Sequence, residues 1–146
     1  MQTPSFEADE QVAEVARAYA QDLVAMARSQ YAVELDYSLD SVASVERIAG
    51  DIAGSKPRFA RFRPSAQAKL EGFSKMLGFY LAEVLQRHMA AEHGWVQMPD
   101  GQRFYGVRLS DGSLVWPVGR AIQRLTAGAE NDLAVYVRAL QGPPES

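Results

Sequence analysis

Asp100-Gly101 and Asp111-Gly112 separate three short apolar runs between Gly94 and Pro117, and this pattern constrains the fold more than any other stretch of the chain. Asp-Gly supplies residues that tolerate positive φ in tight hairpin turns. Strands joined by such turns lie antiparallel, and the chain's two tryptophans, Trp95 and Trp116, fall in the flanking segments. The spacing predicts a three-stranded antiparallel meander. Pro117 then suits the first position of a helix, with Val118, Ile122 and Leu125 as its buried edge and Gly128 as its end.

Helical patterning dominates elsewhere. From Phe6 to Gln30, Val12, Val15, Tyr19, Leu23 and Met26 recur at steps of three and four with no Gly or Pro. Tyr31 to Tyr37 reads as a short extended link. Ser38 is an N-cap candidate for a second helix carrying Leu39, Val42, Val45, Ile48 and Ile52, which ends near Gly50 or Gly54. Pro57 and Pro64 bracket a loop. A long helix is expected from about Ala66 to Glu92, with Leu70, Phe73, Leu77, Tyr80, Leu81, Val84, Leu85 and His88 on one stripe and Gly94 as its stop. Gly72 and Gly78 within it suggest close contact with a neighbouring element, because each costs about 1 kcal/mol relative to Ala in a helix. A last helix begins near Asn131 and buries Leu133, Tyr136, Val137 and Leu140. Together these elements define an α+β domain over residues 1–142, with N-terminal helices and a long central helix packed on the meander, two short C-terminal helices, and a disordered tail at 143–146.

The 146 residues are 47% hydrophobic, enough for one core. Without cysteine, disulfides and thiolate metal sites are excluded, which suits a cytoplasmic setting. Phe6 to Glu14 carries four acids, so no export signal is expected there, and no run approaches the roughly 18 apolar residues of a membrane span. Residues 1–55 hold 3 basic and 10 acidic side chains while residues 56–146 hold 12 and 8, a split of −7 against +4 that invites pairing within the fold.

Catalytic signatures are absent: the chain contains no nucleophile elbow, phosphate-cradling loop or dinucleotide fingerprint. His88 and His93, the only histidines, lie about 140° apart on a helix and so would not share a metal. No metal or other cofactor is expected, and Glu92 stands where it could pair with His88. Glu83, inside the apolar run Leu77 to Leu85, is a candidate for a salt bridge with Arg120 or Arg124, or for acid-base chemistry in a helix-sheet pocket that also includes Trp95 and Trp116. The loop holding Lys56, Arg58, Phe59, Arg61, Phe62 and Arg63 interleaves cations with aromatics; its rings are expected to plug the core while its cations pair with the acidic first and second helices, and its functional reading is a protein partner. Nucleic acid is the lesser alternative for this loop, because four charges are few and the chain is acidic overall.

Leu77-Gly78-Phe79-Tyr80-Leu81-Ala82-Glu83-Val84, then Gly94-Trp95, then Val115-Trp116-Pro117, Arg120 to Leu125 and Gly128-Ala129-Glu130-Asn131-Asp132-Leu133 form an ordered series. Over roughly residues 70–136 it resembles small bacterial domain families of unknown function, in which a Gly-x-Tyr-Leu-x-Glu helix precedes a Trp strand and a strand ending in Pro. Ala82, where such families carry Gly, and the run Ala129 to Asp132 depart from that pattern. The resemblance implies a bacterial origin and the α+β architecture, and transfers no catalytic residue. The reading that follows is a non-catalytic interaction module, regulatory or immunity-type, with a protein partner and no membrane association; a small enzyme built around Glu83 is the alternative.

Overall fold

A computed structural model describes residues 4–54 and 64–141. Its elements are β1 (Ser5–Ala8), α1 (Glu10–Tyr31), α2 (Ser41–Gly54), α3 (Pro64–Met89), β2 (Glu92–Gln97), β3 (Arg103–Arg108), β4 (Leu114–Val115), α4 (Pro117–Ala127), a 3-10 turn at Ala129–Asn131, and α5 (Leu133–Leu140). The expected α+β class holds, with one strand more than the meander: the antiparallel sheet has four strands in the order β1-β2-β3-β4.

Both Asp-Gly turns form as three-residue loops. Met98 N and Leu109 N donate to Gln102 O and Ser113 O at 2.8 Å, closing the two hairpins. Asp100 and Asp111 each accept the amide two residues ahead, at 2.9 Å. Only the glycines take positive φ, +93° at Gly101 and +89° at Gly112, so each turn ends in a glycine bulge.

The N-terminus departs from the expected helix. Phe6 opposes Val96 and Glu7 opposes Trp95 in the added strand β1, and helix starts only after Asp9, whose carboxylate accepts Gln11 N at 2.8 Å as an N-cap. Gly94 makes the pairing possible, since a Cβ there would lie 2.2 Å from Glu7 O. Gly94 is therefore a strand residue facing Gly106, and the long helix stops earlier, at Met89, with Ala90 turning at φ +51°.

The core runs through Leu23, Val45, Ile48, Leu77, Tyr80, Leu81, Val84, Leu85 and Leu133, all essentially inaccessible. The α3 stripe is as expected except at His88, which is exposed. On α1 the buried seam is small-sided, with Ala16, Ala20 and Ala27 inside and Val15 left 36% exposed, because α1 lies close along α3. On α4 the inward residues are Ala121, Arg124 and Leu125, while Ile122 is 40% exposed. Charge pairing between the chain's halves is present at Glu46–Arg124 and, more loosely, at Glu7–Arg103. Among the described residues no helix is long and apolar enough to cross a membrane.

Candidate functional site

Three local features shape a cleft at the open edge of β3, beside α3 and α4. β4 pairs only with Val107 and Arg108, so among the described residues the first four of β3 lack a strand neighbour on that edge. The chain turns away at Trp116, and Pro117 opens α4. Gly78 lets α4 settle directly on α3, since a Cβ at that position would lie 2.4 Å from Val118 Cα. Val118, Gly119 and Ile122 are thereby set beside Lys75 and the free part of β3, leaving a cleft of about 490 Å³. It exceeds the clefts of about 190 Å³ between α2 and α5 and about 250 Å³ beside Tyr31 and Asp51.

Its walls are aromatic. Trp95 and Tyr105, directly opposed on β2 and β3, stack at 4.7 Å between ring centres, and Tyr105 meets Phe79 edge-on at 5.2 Å. Phe79 in turn stacks on Tyr19 of α1 at 5.7 Å. The indole N–H of Trp95 donates to Asp9 Oδ2 at 3.0 Å, so the residue that caps α1 also fixes this ring. Phe104 and Trp116 line the cleft while remaining 44% and 37% exposed, unusual for rings of this size. Two cations complete it. Arg103 lies 4.7 Å above the Trp95 ring, and Lys75 Nζ lies 5.8 Å and 5.9 Å from the Tyr19 and Tyr105 ring centres. Among the described residues the lining holds no carboxylate or imidazole. It can stack, desolvate and attract charge.

The pocket expected around Glu83 is not assembled. Lys75, Phe79 and Glu83, four residues apart, form one row of α3 facing the sheet; the row meets Tyr105 at its start and His93 at its end. Glu83 is therefore buried against His93 Nε2 at 3.0 Å and reaches neither arginine, and His93 Nδ1 has no hydrogen-bond partner among the described residues. Arg124 faces α2 and forks onto Glu46 at 2.8–3.0 Å; Arg120 lies over the Tyr136 ring at 4.7 Å. Of the five residues expected together, the cleft keeps Trp95 and Trp116. His88 does not pair with Glu92, because the helix ends between them: His88 Nε2 lies 3.0 Å from Tyr37 O, and Glu92 pairs with Arg108 across the sheet. Lys56, Arg58, Phe59, Arg61, Phe62 and Arg63 lie outside the described residues. Among the described residues no three His, Asp or Glu side chains cluster as metal ligands. Lys75, Arg103, Phe104 and Tyr105 escaped the sequence reading, although Phe104-Tyr105 could have signalled that both faces of β3 carry aromatics.

No protein-family model matches the chain, and no curated protein does. A crystal structure from Bacteroides thetaiotaomicron VPI-5482, solved at 1.50 Å, is similar in fold, with a TM-score of 0.70 over 97% of this chain at 9% identity. The chain spans about half, 48%, of that protein. The likeness concerns the fold alone.

Proposed function

We propose that the protein is a non-catalytic binding module whose ligand stacks in the cleft formed by Trp95, Phe104, Tyr105 and Trp116. The observation that carries this reading is the exposure of Phe104 and Trp116 beside an apolar cleft of about 490 Å³, a size typical of small-molecule sites. Large rings left half in water cost solvation that ligand burial would recover, at roughly 25 cal/mol per Å².

Both tryptophans of the chain line this cleft, so intrinsic fluorescence reports its occupancy directly. A neutral aromatic probe, phenylnaphthylamine, is expected to quench it saturably at one site. Trp116→Ala and Phe104→Ala should each weaken the probe by about tenfold, equivalent to ~1.4 kcal/mol, with little loss of stability because both rings are partly exposed. Unchanged probe affinity in both variants would contradict the proposal.

A further inference from the structure

The charged groups of the cleft are all of one sign. Lys75 is half-buried, its ammonium near two rings, and no carboxylate lies within 4.0 Å of it among the described residues. Partial burial removes hydration from an ammonium, and the quadrupoles of two rings at nearly 6 Å replace only part of it. Arg103 stacks on Trp95, and its nearest carboxylate is Glu7 at 3.8 Å, with the two side chains 47% and 79% exposed, too loose and too wet to occupy the guanidinium fork. The nearby Asp9 is already engaged: one oxygen accepts Gln11 N and the other the Trp95 indole. A chain with a net charge of −3 thus places two cations and no acid among the described residues that line this cleft.

Resting on the binding reading above, we infer that the ligand is a small aromatic anion, a planar ring system carrying a carboxylate, sulfonate or phosphate. Its ring lies among Phe104, Tyr105 and Trp116, and its charge is met by Lys75 and Arg103. The volume fits a small molecule, the exposed rings select a planar apolar body, and the unopposed cations select the charge.

A pair of probes that differ in charge tests this. Anilinonaphthalene sulfonate is an aromatic anion, and phenylnaphthylamine has nearly the same rings without the sulfonate. The wild-type protein is expected to bind the sulfonate about tenfold more tightly at low salt, with the advantage lost at high salt. Lys75→Met and Arg103→Met should each weaken the sulfonate about fivefold and leave the neutral probe within twofold, and Lys75→Arg should restore sulfonate binding. Circular dichroism establishes that each variant is folded, and the salt series on the wild-type protein stands even if a variant is not. Equal affinity for the two probes, or salt-insensitive sulfonate binding, overturns the anion inference. If the neutral probe still depends on Trp116 in that case, the cleft reading survives it. Failure of both probes to bind saturably overturns both.

Discussion

Gly72 and Gly78 lie on the same helix and look alike in the sequence, yet they do different work. A Cβ on Gly78 would meet the backbone of Pro117 and Val118 at 2.4–2.9 Å, whereas one on Gly72 would meet nothing within 4 Å. Gly78→Ala must therefore push α4 off α3 and is expected to lower stability by roughly 2–3 kcal/mol, and to weaken probe binding by displacing Val118 and Gly119. Gly72→Ala should raise stability by about 0.5–1 kcal/mol by removing backbone freedom from the unfolded chain. Urea midpoints of the two variants check this directly; opposite signs are expected, and equal losses would contradict the assignment. The sequence signals that a helical glycine wants a reason, but the face it points to depends on where α4 packs. Glu83 shows the same limit. Its apolar neighbours announced burial, while its partner proved to be His93, which the expected helix had turned away from it.

Between elements, Glu46 is the residue that ties the C-terminal helices to the rest. Its two oxygens take the Arg124 guanidinium from α4 and, through Oε1, the Leu133 amide at the start of α5 at 2.9 Å. Arg124 is held strongly protonated, first by its hydrogen bonds to Glu46. Glu46→Ala leaves a nearly buried guanidinium and a helix-start amide without acceptors, and should cost roughly 3–5 kcal/mol, read from urea unfolding. Amides of α5 should exchange faster than those of α3 in the same variant, and uniform behaviour would contradict a clamp at this place. Sequence patterning located the helices because their periodicity is local. It missed β1, since Ser5–Ala8 is too short to establish alternation and its partner β2 lies about ninety residues away. It extended α3 into β2 because His93 carries no strand signal until Trp95 and Val96 follow it. Phe104 and Trp116 come together at one cleft because a two-residue β4 leaves the edge of β3 open.

For the molecule as a whole, alkaline pH is the natural stress. Burial, aided by the hydrogen bond to Asp51 at 2.7 Å, pushes Tyr31 up to about 12. Burial also raises Tyr37, Tyr80 and Tyr136. A raised phenol pKa means that the fold favours the protonated form. The stabilisation is fully present below about pH 10, where the unfolded phenols ionise, and it is lost as pH climbs through the raised values toward about 12. Urea midpoints should fall across that window, with tyrosinate absorbance lagging behind that of the unfolded chain; a flat midpoint would contradict the burial of these rings. Occupancy of the cleft is read most directly by a nitrogen-proton NMR titration with phenylnaphthylamine, following the indole signals of Trp95 and Trp116. Both indoles and the amides of Phe104, Gly119 and Ile122 should shift along one saturating curve, while those of Leu39 and Gln141, beside the cleft between α2 and α5, stay fixed. Shifts centred on α2 and α5, or none at all, would contradict it.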